Sequence, residues 1–113
     1  MNATEEKTYH GWRDKGTAVV TVTENGIQRV LGPRLDEVNH SPTGFEWGYG
    51  GSGPAQLAYV LVREVIGPDE AFALYQDFKS DVVALLPPTW TLTEGQIHGW
   101  VEKVQAGSRV RKG

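Results

Sequence analysis

The stretch from Asn39 to Gln56, NHSPTGFEWGYGGSGPAQ, constrains the fold of this chain more than any other. Five of the ten residues from Gly44 to Gly53 are glycine, and bulky aromatic residues stand between them. Glycine loses more backbone freedom on folding than any other residue, so a loop of this composition is costly to order. Such a loop is expected where positive φ angles are needed, or where another backbone or a ligand approaches closely. At least one of Gly50, Gly51 and Gly53 is therefore predicted to have a positive φ angle.

Length, composition and charge limit the class of protein. A chain of 113 residues, of which 39% are apolar, is expected to form one domain with a modest core. No apolar run approaches the ~20 residues that span a membrane, the first ten residues do not resemble a signal peptide, and there is no cysteine. These features predict a cytoplasmic protein. The net charge of −3 argues against a general nucleic-acid binder, which needs a basic face.

The first third of the chain predicts a small antiparallel sheet. Strands are expected from Thr8 to Arg13, from Thr17 to Thr23, and from Ile27 to Leu31. The second of these is β-branched at every position but one, which favours a strand. Asn25 and Gly26 form the dipeptide typical of a type I′ hairpin turn. The expected sheet is a three-stranded meander.

Three helices are predicted in the rest of the chain. Pro54 to Ile66 is apolar nearly all round, which is typical of a central helix. Pro68 begins a second helix that runs until the Pro87-Pro88 pair, and a capping box at Thr93 and Gln96 begins a third that ends at Gly107. The positions expected to be buried are Leu57, Ala58, Leu61, Val65, Ala71, Leu74, Tyr75, Phe78, Val82, Leu85, Ile97, Trp100, Val101 and Val104.

The predicted fold class is therefore α+β: a single domain in which a three-stranded antiparallel meander packs against three helices. Residues 1–7 and 108–113 are expected to be flexible ends. The last of these segments is a short basic tail containing Arg109, Arg111 and Lys112, which is expected to be a solubilising end or to contact acidic groups.

The segment from Gly48 to Gln56 is the main candidate for a binding site. Exposed amides of a glycine-rich turn, the Ser52 hydroxyl and the positive end of a helix together favour an anion. Trp47 and Tyr49 are suited to stacking on a base or a sugar. The spacing matches neither the phosphate loop nor the GxGxxG pattern of dinucleotide folds. A purely structural interpretation stays open, in which the glycines allow a tight crossing and the aromatic residues fill the core.

The histidine and acidic residues around the loop allow two further hypotheses. His40 is a candidate general base or switch beside Glu46, or else a turn histidine bonded to the backbone. Asp36, Glu37 and Glu46 are candidates for a hard-cation site, or else form a solvated acidic rim. No catalytic residue, metal site or cofactor is predicted. The residues predicted to contact a ligand or a partner are His40, Phe45, Glu46, Trp47, Tyr49, Gly50, Gly51, Ser52, Gly53 and Gln56.

The motif NHSPTGFEWGYGGSGPAQLA, together with YQDFK ending at Lys79 and WTLTE beginning at Trp90, resembles a known family. It is a family of small proteins of unknown function that occurs in bacteria, archaea, phages and plasmids, and the resemblance extends from Tyr9 to about Trp100. It implies a mobile-element setting but no activity. Many small proteins in such settings counter host defence, by binding an effector protein or by sequestering a signalling nucleotide.

Two functions follow as expectations. The first is a non-enzymatic binding protein whose loop and helix start hold an anionic, nucleotide-like ligand, in a counter-defence role such as sequestering a signal nucleotide. The second is an inhibitor or adaptor of the anti-CRISPR type, which binds a host defence protein through Phe45, Trp47 and Tyr49. A homodimer is left open, and an enzyme is the least favoured class. A concave pocket with converging amides would favour the first function, and a flat or convex aromatic patch the second.

Overall fold

The sheet of this protein has four antiparallel strands. Two α-helices precede its last strand in the sequence, and a third follows it. The computed structural model describes residues 6–42 and 44–112. The elements are β1 (Thr8–Asp14), β2 (Thr17–Glu24), β3 (Ile27–Val30), α1 (Ser52–Ile66), α2 (Pro68–Asp81), a 3₁₀ turn (Val83–Leu85), β4 (Trp90–Thr93) and α3 (Glu94–Lys112). The strands have the spatial order β3-β2-β1-β4, so β1 and β2 are central.

The three predicted strands are confirmed, and the Asn25-Gly26 turn has the expected positive φ angles, as does the turn between the first two strands. Asn25 and Gly26 have φ angles of 54° and 80°, and Lys15 and Gly16 have φ angles of 53° and 85°. A type I′ turn needs positive φ at both central residues, and its twist matches that of the flanking strands. The local sequence therefore sets the β1-β2 and β2-β3 register without help from the rest of the chain.

The prediction of a three-stranded sheet was wrong, because Trp90–Thr93 adds a fourth strand. This strand pairs with β1 on the side away from β2, with Gly11 opposite Trp90. The indole of Trp90 lies directly over Gly11, where a Cβ atom would stand only 2.2 Å from a ring carbon. Glycine at position 11 thus provides the space for Trp90. Four residues between a proline pair and a helix cap carry too little periodicity to indicate a strand on their own.

Helix α1 is the centre of the core, as predicted. Its residues from Gly53 to Val62 are all buried, including Leu61, and Phe78 of α2 is buried beside them in the same apolar cluster. On β1, the buried Tyr9 and Gly11 alternate with partly exposed neighbours, so one face of the sheet is turned to the core. Within the described residues, no helix is long and apolar enough to cross a membrane.

Two predicted helix ends were wrong. The second helix ends at Asp81 and tightens into the 3₁₀ turn, which has three residues per turn. That change of period moves Leu85 off the buried stripe, so it is 76% exposed, whereas Val83 is buried. Helix α3 continues beyond Gly107 to Lys112, because a single glycine costs a helix only about 1 kcal/mol. The side chains of the predicted basic tail lie outside the part of the chain that the structure describes.

We expect Leu61→Ala to lower the free energy of unfolding by about 2–5 kcal/mol, because it removes a fully buried side chain from the α1 interface. Chemical denaturation measures this change. Leu85→Ala is the matched control, since the same atoms are removed from an exposed position and the expected loss is below about 0.5 kcal/mol. Similar losses in the two variants would contradict the central position of α1.

Candidate functional site

Gln56, predicted to contact a ligand, is instead fully buried and bonded to the backbone. Its Oε1 accepts hydrogen bonds from the amides of His40 (2.8 Å) and Ser41 (3.3 Å). Its Nε2 donates to the carbonyl oxygens of Pro33 and Val38, each at 2.7 Å. A primary amide offers two donors and an oxygen that accepts two bonds, so its capacity is fully used. Gln56 therefore clamps the segment from Pro33 to Ser41 onto α1.

His40 does not lie beside Glu46, so the proposed base or switch pair is not formed. Its Nε2 is 2.5 Å from the hydroxyl of Tyr75, and the two rings are in tilted contact. Glu46 instead pairs with Arg13. Gln56 holds the His40 backbone against α1, and at that position the His40 ring contacts Tyr75 of α2.

The three carboxylates proposed for a cation site are not assembled either. Glu37 accepts hydrogen bonds from Nε and Nη2 of Arg63 (3.0 and 3.1 Å) and from the Tyr59 hydroxyl (2.6 Å). The Arg63 guanidinium and then the Tyr59 hydroxyl lower the pKa of Glu37. Burial, reinforced by the hydrogen bond to Glu37, raises the pKa of Tyr59 to about 12. No three histidine or acidic side chains meet as metal ligands anywhere in the described residues.

The prediction of a positive φ angle at Gly50, Gly51 or Gly53 was wrong. Gly51 is extended, with φ at 175°, and the positive angles occur at Gly44 (120°) and Gly48 (85°). Gly53 matches the other reason expected for glycine in this loop, the close approach of another part of the chain. A Cβ atom there would lie 2.7 Å from the Cβ of Glu46. The loop backbone therefore packs against the first turn of α1.

Arg13 is joined to the start of α1 through Glu46. Its Nη2 donates to Oε1 of Glu46 at 2.7 Å and its Nη1 to Oε2 at 3.2 Å. The guanidinium lies over the ring of Trp47, 4.7 Å from the ring centroid. The hydrogen bond to Glu46 raises the pKa of Arg13, which stays charged. Because Glu46 also packs on Gly53, the end of β1 and the start of α1 form one charged cluster.

A cleft of about 210 Å³ opens beside this cluster, lined by Arg13, Trp47, Gly48, Leu86 and Pro88. Trp47 is only 2% exposed, because its indole N–H donates to the carbonyl of Pro88 and its ring meets Trp90 edge to face. It therefore forms part of a wall and is not an exposed anchor.

Tyr49 is the exposed aromatic residue of the loop, with 52% of its surface accessible. Its ring lies over Gly51, at the N-cap of α1, where a Cβ atom would be 3.0 Å away. It is also close enough to Arg13 to contribute to the raised pKa of that guanidinium. Tyr49 therefore lies near both Arg13, which lines the cleft, and the start of α1.

The structure brings together about half of the residues predicted for the site. Glu46, Trp47, Tyr49, Gly51 and Gly53 meet around the start of α1, where Ser52 is exposed. Phe45 is half-buried against the core, Gly50 faces open space, and His40 and Gln56 belong to the clamp. Sequence reasoning missed Arg13, Leu86 and Pro88. A lone arginine before a turn carries no local signal of such a role.

Gly53→Ala is expected to cost about 1–3 kcal/mol of stability, because the new methyl group would collide with Glu46. Gly50→Ala is the control, since nothing lies within 4 Å of its Cβ position. It is expected to be neutral or to stabilise by up to about 1 kcal/mol. Thermal and chemical denaturation of both variants measure the difference, and equal stability would show that Glu46 and α1 do not pack as described.

Gln56→Leu is expected to lower the free energy of unfolding by at least about 3 kcal/mol, because it removes four hydrogen bonds to the backbone, two of them buried and two partly buried. Gln76→Leu makes the same change at an exposed position of α2 and is expected to be nearly neutral. Hydrogen exchange should also increase at the amides of His40 and Ser41 in the first variant. Unchanged exchange there would contradict the clamp.

Comparison with known proteins gives the family but no activity. The description "Family of unknown function (DUF6166)" applies to residues 9–103, which include all of β1 except its first residue, the other three strands, α1, α2 and about the first half of α3. No curated protein and no solved structure matches the chain. The matched region contains the glycine loop, the clamp and the cleft together. The chain belongs to the family of unknown function DUF6166.

Proposed function

We propose that this protein is a non-enzymatic binding protein for a small anionic, nucleotide-like ligand. The observation that carries the proposal is the cleft beside α1, where the Arg13 guanidinium lies over the Trp47 ring. An arginine has five N–H donors, and Glu46 takes two of them. Three donors and a partly exposed side chain remain for a ligand.

The start of α1 supports the same ligand charge. No side chain caps this helix, and its first turn contains no acidic residue. Backbone N–H groups at an uncapped helix start attract anions, and the exposed Ser52 adds a hydroxyl. The amide of Gly48 does not contribute, because it donates to the carbonyl oxygen of Val83. The expected contacts for a phosphate are therefore Arg13 and the first turn of α1.

The size of the cleft limits which part of a ligand enters it. Small-molecule sites usually occupy ~300–1,000 Å³, and this cleft is smaller. It has room for a phosphate and part of a sugar. The exposed ring of Tyr49 beside it offers a stacking surface for a base. In this arrangement the charged and planar parts of one nucleotide contact adjacent groups.

The geometry favours this function over binding a protein through the same loop. Of the three aromatic residues proposed as anchors, only Tyr49 is largely exposed, so no flat aromatic patch exists there. The cleft is a partly open recess, which suits a small group better than the flat surface of a protein partner. A host defence protein as partner, and the counter-defence role itself, stay predictions from the family resemblance.

Isothermal titration calorimetry with AMP and with adenosine tests the proposal, because the two probes differ only in the phosphate. AMP is expected to bind at least tenfold more tightly, which is about 1.4 kcal/mol, and more weakly as salt is raised. Arg13→Gln and Ser52→Ala should each reduce AMP affinity, and Tyr49→Ala should reduce affinity for both probes. Trp47 is left unchanged, because its burial makes its truncation a test of folding.

Lys103→Gln is the control, since it removes one positive charge from an exposed position on α3. It should leave the affinity for AMP unchanged. Equal affinity for AMP and adenosine, or wild-type affinity in folded Arg13→Gln, would falsify the proposal. Native mass spectrometry of the protein purified from its host would then identify a retained ligand of another class.

A further inference from the structure

At the far end of α1, one carboxylate faces three cations. Glu64 has a side chain that is only 6% exposed. Lys7 Nζ and Arg29 Nη2 are each 3.8 Å from its Oε1, and Arg34 Nη2 is 3.6 Å from its Oε2. These four groups, which we call the Glu64 cluster, carry a net charge of +2.

The sheet register explains why the cations meet at this point. Tyr9 of β1 pairs with Val22 of β2, which pairs with Arg29 of β3, so the three side chains share the core face of the sheet. The first two are buried, and Arg29 lies at the sheet edge where the core ends. Lys7 precedes β1 and points to the same face by the two-residue alternation. Glu64 of α1 packs over this face of the sheet and contacts Arg29.

The donors of the Glu64 cluster are not satisfied by the protein groups around them. All three separations exceed the 3.5 Å limit of a hydrogen bond, and the side chains of Lys7, Arg29 and Arg34 make none with any described residue. The Arg29 and Arg34 side chains are 51% and 40% exposed, so their unused N–H groups face solvent.

A second observation points the same way. Tyr9 is fully buried, and its hydroxyl has no hydrogen-bond partner among the described residues. It lies close enough to the cluster for Glu64 to raise its pKa, after the larger effect of burial, and for Arg29 to oppose that shift. Buried hydroxyl groups are rarely left without a partner. An unpartnered hydroxyl donor close to the three cations suits an anion.

We propose that Lys7, Arg29 and Arg34 form a second anion site, which takes a dianionic phosphate on the solvent side of Glu64. The three cations share one buried carboxylate, and the carboxylates of Glu24, Glu37 and Glu94 lie within electrostatic reach; among phosphates, we expect the more highly charged monoester or inorganic phosphate to be preferred to a singly charged phosphodiester. Two arginines offer planar pairs of donors that suit phosphate oxygens. The site lies twelve residues along α1 from Ser52, about 18 Å at 1.5 Å per residue, so it is separate from the cleft at Arg13.

NMR titration of the full chain with inorganic phosphate, at constant ionic strength, tests the proposal. Saturable shifts are expected at the side-chain Nε–H groups of Arg29 and Arg34. The double variant Arg29→Gln/Arg34→Gln should bind at least tenfold more weakly, whereas Lys79→Gln/Lys103→Gln, which removes equal charge elsewhere, should bind like the wild type. Dimethyl phosphate, a monoanion, should bind less tightly than phosphate. Wild-type affinity in the arginine double variant, or equal affinity for the two probes, would overturn the proposal.

Thermal denaturation provides an independent readout. In Glu64→Gln the three cations lose their carboxylate, so phosphate should raise the melting temperature of this variant more than that of the wild type. Chloride at the same ionic strength should not. A phosphate effect no larger than that in the wild type would also overturn the proposal. The difference in phosphate effect between Glu64→Gln and the wild type should persist when both proteins also carry Arg13→Gln, which separates the site from the one proposed at the cleft.

Discussion

Four hydrogen bonds from one buried amide hold the irregular segment from Pro33 to Ser41 against the central helix. The partners are all backbone groups of a segment that forms neither a helix nor a strand. Buried backbone groups must find partners, and those of an irregular segment cannot find them in a regular ladder. The buried side-chain amide of Gln56 on α1 supplies these hydrogen-bond partners. The position of everything that the segment carries, including Arg34, Glu37 and His40, therefore depends on this side chain.

The placement of α1 also determines where charge accumulates. Arg13 near the end of β1 meets the start of α1 through Glu46, and Lys7 before β1 meets Glu64 near the end of α1. The helix therefore runs antiparallel to β1, with one arginine near its start and three cations near its end. At the helix start a carboxylate balances the guanidinium, whereas at the far end three cations face one carboxylate. The net charge of −3 conceals this uneven distribution, and on its own it argued only against a general nucleic-acid binder.

Features determined by neighbouring residues were predictable, and features determined by packing were not. The capping box was predicted from spacing and is present in both directions, from Thr93 N–H to Gln96 Oε1 and from Gln96 N–H to Thr93 Oγ1. The hairpin turns follow the same local logic. Strand β4 was missed because its pairing depends on Trp90 finding a glycine about eighty residues earlier in the chain. The burial of Trp47 and the role of Arg13 also depend on long-range contacts. The position of the loop in the sequence was therefore predictable, but which of its side chains are exposed was not.

The pairing of β1 has a consequence for the order of folding. On one side β1 meets its hairpin neighbour β2, and on the other it meets β4, which follows both of the first two helices in the chain. The first pairing closes a short loop, whereas the second closes one of about eighty residues and carries a larger entropic cost. We therefore expect the sheet to be completed late, after α1 and α2 have packed. Until then the outer edge of β1 is an unpaired strand, which is the point at which an incompletely synthesised chain is most exposed to pairing with another molecule.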